Sequence, residues 1–327
     1  MNLSARLYFH SPCFDGIVSA VLTSDFAERV LNWTIDDLQP VTYKLRSSWL
    51  ADPLVEPCAV VDFLYHPKAT FWADHHPTTF LSPQVKRDFA LREGPYATYN
   101  PRADSCAKLL WDHLKRAFQY RNHGYTNLVS WASKIDAAKY SSVTEAIQGT
   151  EPALRINFSL VYGDDDGYTA SLVRHLRNRP LEAVADLPEV TARYQRFQLD
   201  VKRGLRFFRS HARLDRGVVV FDVNAEDMLI PRYAPYQFFP HARYSAGVIR
   251  REAGTTIIAM RNPWKGFAGI HMGKLFERIG GGGHARVGSV VLRGEDALRA
   301  DAALNQVLTA LQEDRRRLRR VSGSHSR

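Results

Sequence analysis

Along the first part of the chain, short apolar runs alternate with stretches whose apolar positions recur every three or four residues. Arg6-Leu7-Tyr8-Phe9, Cys58-Ala59-Val60-Val61-Asp62 and Thr70-Phe71-Trp72-Ala73-Asp74 predict strands, and Gly16 to Val30 predicts a helix between the first two. Further helices are expected over Ser105 to Phe118 and Asn127 to Ala138. Strands this short, separated by helices, predict a doubly wound parallel sheet, and ligands gather at the carboxyl ends of such strands. From Leu181 to Phe208 an amphipathic stretch carries no strand signal, and a strand-rich block opens at Gly217-Val218-Val219-Val220-Phe221. That block predicts strands at 217–222, 244–250, 255–261 and 289–292, a helix over 272–278 and a closing helix over 295–318. The expected layout is an α/β domain over 1–185, a helical linker over 186–215, a smaller mixed-sheet α/β domain over 216–314 and a disordered basic tail over 315–327.

Composition narrows the class. The chain has 327 residues, of which 45% are hydrophobic and 24% charged, so each domain can bury its own core. The net charge is +10, but 315–327 holds six arginines and no acid, which leaves only +4 on the remainder. A body so mildly basic fits a local anion site rather than a track for a long polyanion. Cys13, Cys58 and Cys106 are widely spaced and form no CxxC pair, so neither a disulfide framework nor a zinc knuckle is expected. No apolar run reaches the ~18–20 residues that span a bilayer, and the first residues lack a signal-peptide pattern. A cytoplasmic location without membrane attachment is expected.

Candidate chemistry falls at the predicted strand ends: His10 with Asp15, then Asp62, then Asp74-His75-His76. Alone, each has an ordinary reading, since an Asp after a strand often caps a helix. Carboxylates and imidazoles converging from successive β-units are the ligand set that Mn2+ or Mg2+ takes. Asp136 follows the apolar Trp131 and Ile135, where an unpaired carboxylate would be costly to bury. The run Gly280 to Gly283 follows a predicted helix. One glycine suffices to end a helix, so the excess points to backbone amides approaching a ligand. Arg261, ending a strand, offers a planar fork for a phosphate. The acidic run 164–166, flanked by glycines, reads as an exposed turn.

The segments FHSPCFDGIVSA, Asp62, WADHHP and Asp136 in WASKIDAAKY resemble the four motifs of the DHH phosphoesterases, and ERIGGGGHARVGS resembles the GGGH signature of the associated DHHA1 domain. The resemblance implies an N-terminal doubly wound parallel-sheet DHH domain and a smaller mixed-sheet α/β DHHA1 domain. It assigns His10 and Asp62 to one metal and Asp15, Asp62, His75 and Asp136 to a second, with Asp62 bridging. Asp74 would orient the histidine pair, and His76 would face the substrate phosphate. Arg261, Gly281, Gly282, Gly283 and His284 would bind the far end of the substrate, in a cleft between the domains. The chain departs from the family at Cys13, where Asp is usual, and Cys13 reads equally as a thiolate ligand or a neutral bystander.

The implied activity is metal-dependent hydrolysis of short RNA or DNA oligonucleotides, dinucleotides or bisphosphorylated nucleotides. Two Mn2+ ions are implied, or one if the Cys13 site is weak, with Mg2+ or Co2+ as alternatives. The competing readings are a single-stranded DNA exonuclease of the RecJ type and a catalytically impaired nucleotide sensor. Family membership also implies a homodimer.

Overall fold

The strands that read most clearly in the sequence are the central ones. In the computed structural model, which describes residues 3–163, 167–283 and 285–323 and side chains as far as Asp314, β1 (Leu3–His10) is followed by α1 (Phe14–Phe26), β2 (Trp33–Val41), β3 (Cys58–Val61) and β4 (Phe71–Asp74). Next come α2 (Pro83–Arg92), β5 (Ala97–Tyr99), α3 (Cys106–Phe118) and α4 (Thr126–Asp136). The five strands form one all-parallel sheet in the order β2-β1-β3-β4-β5. The acidic run 164–166 lies outside the described residues.

Both faces of this sheet are covered. Leu7, Phe9, Ala59, Val61, Phe71 and Ala73 point into one core with α1 and α3, and Tyr8, Cys58, Val60 and Trp72 point into another with Trp49 and Phe63. Alternate residues of one strand therefore enter different cores, which is why β3 and β4 read as unbroken apolar runs. Every residue of α1 is buried, and its last turn widens into a π-helical turn over Ala27–Leu31 that stops at Asn32 in the left-handed region.

In the parallel-sheet domain the sequence reading missed β2, α2 and β5. Both of these strands are sheet edges: β2 carries Asp36, Asp37 and Pro40, and β5 is three residues long. Charge, proline and shortness are how edges avoid pairing with other chains, and they erase the apolar signal. α2 buries only Val85 and Phe89, and Ser82 caps it.

The remaining helices are α5 (Val143–Gln148), α6 (Pro152–Ser159), α7 (Tyr168–Asn178), α8 (Leu181–Ala185) and α9 (Pro188–His211). The amphipathic stretch is thus α8 and most of α9, divided just before Pro188, whose ring suits a first helical turn. The chain then forms β6 (Ala212–Asp215), β7 (Val218–Asn224), α10 (Ala234–Phe238), β8 (Tyr244–Arg251), β9 (Gly254–Arg261), α11 (Met272–Glu277), β10 (Gly282–Gly283), β11 (Val287–Leu292) and α12 (Ala300–Gly323). Their sheet runs β10-β11-β9-β8-β7-β6, with β7 and β8 parallel and the other neighbours antiparallel. Its core joins Val220, Ala246, Val248 and Ile257 to Phe276 of α11 and Val307 and Leu311 of α12. The chain divides into two units, Met1–Tyr140 with Gly149–Phe197 and Ser141–Gln148 with Gln198–Arg327.

Candidate metal centre

Strand order 2-1-3-4-5 reverses direction between β1 and β3, and the carboxyl edge at such a reversal is where open parallel sheets bind ligands. His10 ends β1, Asp62 follows β3, Asp74 ends β4 and His75 and His76 follow it. Cys13 precedes α1, Asp15 lies in its first turn and Asp136 is the last residue of α4. Six of these side chains fall into two groups, His10 with Cys13 and Asp62, and Asp15 with His75 and Asp136, whose donor atoms lie within 4.8 Å of one another. Asp62 also groups with His75 and His76. His10 Nδ1 is 3.4 Å from Asp62 Oδ2, and His75 Nε2 is 3.7 Å from Asp62 Oδ1, 3.7 Å from Asp15 Oδ2 and 3.3 Å from Asp136 Oδ2.

The backbone is shaped to put Asp62 at the centre. Its φ is +57°, a left-handed conformation that costs a non-glycine residue on the order of 1–3 kcal/mol. Its N–H donates to the Ala73 carbonyl (2.9 Å), and its side chain is fully buried. Gly16 lets α1 reach the end of β1: a Cβ there would stand 2.0 Å from the His10 carbonyl oxygen and 3.3 Å from Asp62 Oδ2. Asp15 accepts from the amides of Cys106 (2.6 Å) and Ala107 (2.9 Å) and so caps α3 with a charge from another helix. Ser105 also caps α3, accepting from the Lys108 amide at 3.0 Å.

The two histidines are oriented by different partners. Asp74 Oδ1 accepts from the His76 ring (Nδ1, 2.8 Å) and from the amides of His75 (2.7 Å) and His76 (3.3 Å). The ring of His75 instead has Nδ1 3.2 Å from the Ala103 carbonyl, which turns Nε2 toward the carboxylates. Asp74 therefore fixes one imidazole and the backbone of both, while a carbonyl ahead of α3 fixes the other.

Whether these residues suit a cation is decided by their unmet lone pairs. His10 Nδ1, both oxygens of Asp62, Asp74 Oδ2 and His75 Nε2 are buried without a hydrogen-bond partner. Unsatisfied carboxylate oxygens in such a place are expensive unless a positive charge faces them. Burial, then the charges of Asp15, Asp74 and Asp136, push the Asp62 carboxyl well above the usual carboxylate range. Burial also raises Asp15 against the pull of His75 and the two amides, and burial with the Asp15 charge takes Asp136 up to about 6. Desolvation and the charge of His76 bring His10 down to about 4, keeping its ring neutral. Burial, followed by Asp62, Asp15 and Asp136, holds the Cys13 thiol well above its ordinary value. The neutral His10 ring and the His75 Nε2 facing crowded carboxylates are the donor set of a hard or borderline dication, and the residues fit one.

Asp136 differs from its expected burial: its side chain is 28% exposed at the rim of the group. Tyr43 escaped the sequence reading altogether. Its ring meets His10 edge-on at 5.0 Å and lies 6.1 Å from His76 and 5.2 Å from Phe63. Recognition of β2 as a strand would have been the signal, because Tyr43 follows it at the same sheet edge.

In the second unit, Arg261 ends β9, its guanidinium donating to the Phe267 carbonyl and lying 4.8 Å from the Phe267 ring centroid. Three of the four glycines at 280–283 have local reasons, one in backbone conformation and two in packing. Gly280 has φ +81° at the end of α11, a Cβ on Gly281 would come 2.4 Å from the Ser289 carbonyl, and one on Gly283 would come 2.3 Å from the Val287 carbonyl. Gly282 has no neighbour that excludes a side chain. His284 lies outside the described residues.

No protein-family model and no curated protein matches the sequence. Solved structures do. The pGpG-specific phosphodiesterase PggH from Vibrio cholerae superposes with a TM-score of 0.70 at 21% identity, over 95% of this chain and 99% of that one. RecJ in complex with Mn2+ from Thermus thermophilus gives 0.56 at 15% identity, over 93% of this chain and 51% of RecJ. An exopolyphosphatase-related protein from Bacteroides fragilis gives 0.51 at 14% identity, over 95% and 92% of the two chains. With an all-parallel five-stranded sheet and a separate mixed six-stranded sheet, the chain shares the fold of these proteins, the two-sheet α/β layout that its DHH- and DHHA1-like motifs imply.

Proposed function

We propose that the protein is a divalent-metal-dependent phosphoesterase acting on short oligonucleotides, dinucleotides or bisphosphorylated nucleotides. The observation that carries this reading is the pair of cation-suited groups beside Asp62, whose two buried oxygens have no other partner. His10, Cys13 and Asp62 would hold one ion and Asp15, His75 and Asp136 the other, with Asp62 shared. Mn2+ suits these donors, with Mg2+ and Co2+ as substitutes. Bound there, such ions make water nucleophilic at neutral pH and neutralise phosphoryl charge.

The chain's own groups do the positioning. Burial opposes a charge on His76, but its bond to Asp74 and the charges of Asp74, Asp136 and Asp15 outweigh this and raise its pKa. With Nδ1 tied to Asp74, the opposite ring nitrogen is left to donate to a phosphoryl oxygen as charge develops there. In the second unit, Arg261, the backbone at Gly281, Gly282 and Gly283, and His284 would hold the rest of the nucleotide. Short substrates are favoured over long single strands because the likeness to PggH runs the length of both chains, whereas RecJ is matched over half of its length. A cytoplasmic setting belongs to the same proposal. Cys13, Cys58 and Cys106 are free thiols, and no helix among the described residues is long and apolar enough to cross a membrane.

The test is hydrolysis of dinucleotides, adenosine 3′,5′-bisphosphate and single-stranded DNA with Mn2+, Mg2+ or Co2+. Asp62→Asn and His75→Ala are expected to lower turnover at least ~100-fold, since loss of a ligand should cost no less than the roughly 10–100-fold lost with its outer-shell partners. Nucleotide binding with no turnover under any ion overturns the reading in favour of a sensor.

A further inference from the structure

We propose that the turn after β2 forms a second anion subsite on the DHH domain, in which Lys44 and Arg46 receive a terminal phosphomonoester of the substrate. The proposal rests on the phosphoesterase reading and names the substrate class: a short nucleotide bearing a free phosphate beside the ester that is cleaved.

Tyr43–Ser47 is a 3-10 turn whose start is fixed by Thr42, which accepts from the Lys44 amide. Tyr43 faces inward against His10 and His76, while Lys44 and Arg46 are exposed. Arg46 Nη1 donates to the Thr78 carbonyl (3.2 Å), so its guanidinium is tethered to the loop that carries His76, with most of its five N–H donors still available. A cavity of about 510 Å3 opens here, lined by Tyr43, Lys44, Arg46, Ser47, Leu50 and Leu81. None of these residues is acidic, and among the described residues neither Lys44 nor Arg46 forms an ion pair. At ~2 Å of rise per residue, Lys44 directly follows the ring that touches the metal centre and Arg46 stands ~6 Å along the turn from it, about one nucleotide step. Two cations and a hydroxyl beside two leucines and a tyrosine match a phosphate joined to a sugar and base. A neutral ester end would leave both cations unmatched.

The experiment compares pGpG with GpG, and adenosine 3′,5′-bisphosphate with adenosine 3′-monophosphate, in two ways. One is equilibrium binding to protein kept in chelator; the other is kcat and KM with Mn2+. Wild type is expected to prefer the phosphorylated member of each pair by at least about tenfold, as charge-assisted contacts to a phosphate require. In Lys44→Ala/Arg46→Ala that preference is expected to fall toward unity, mainly through KM. Lys44→Arg/Arg46→Lys is expected to retain it, and Lys115→Ala/Arg121→Ala, which removes the same net charge elsewhere, to leave it intact. Equal binding of both members by wild type, or an undiminished preference in the double alanine variant, overturns the subsite. Absence of turnover with every ester overturns the phosphoesterase reading, while the chelator binding data still decide the subsite.

Discussion

Asp136 carries the clearest single-residue consequence. Its carboxyl titrates near pH 6 because it is partly desolvated beside Asp15, and it must be ionised to meet a cation. Each ion bound there displaces a proton, so metal affinity is expected to fall at least tenfold per pH unit below about pH 6. Calorimetric titration with Mn2+ between pH 5 and 8 measures this slope. Asp136→Asn should bind more weakly and lose one proton from the dependence; an unchanged slope would remove Asp136 from the centre. At this scale the sequence revealed charged residues and missed neutral ones. His10, Asp15, Asp62, His75 and Asp136 stand at strand ends and helix termini, where an ionisable side chain is conspicuous. The Ala103 carbonyl that orients His75 is backbone and has no letter of its own.

Among the secondary-structure elements, α1 matters most, because it is wholly buried and delivers Cys13 and Asp15 from one end. Its approach to β1 depends on Gly16. Gly16→Ala would drive a methyl group into the His10 carbonyl, and overpacking of this kind costs about 3 kcal/mol. Thermal denaturation of the metal-free protein should show the loss directly, and metal affinity should fall with it because His10 and Asp62 flank the clash. A variant as stable as wild type would mean that α1 tolerates a shift. The sequence disclosed β1, β3 and β4 because two-sided burial demands apolar residues throughout. It concealed β2 and β5 because edge strands are built from polar residues and proline, and Tyr43 was hidden along with β2.

For the whole molecule, charge is the relevant quantity. The six arginines of 315–327 carry more than half of the net +10. Replacing all six by glutamine is expected to flatten the salt dependence of single-stranded DNA binding, while dinucleotide turnover stays within about twofold. A parallel fall in dinucleotide turnover would tie the terminus to the short-substrate site. The division into two sheets was legible from the strand-free amphipathic stretch and the strand-rich block that opens at Gly217. The split of that stretch at Pro188 was visible only as a proline within a helical pattern.

The cap that Asp15 places on α3 has a consequence for how the centre loads. Both of its oxygens already accept backbone amides, so α1 and α3 are joined by the chain's own bonds before any ion arrives. Chelation is therefore expected to leave the junction of the two helices standing, so that reloading asks for no refolding of either.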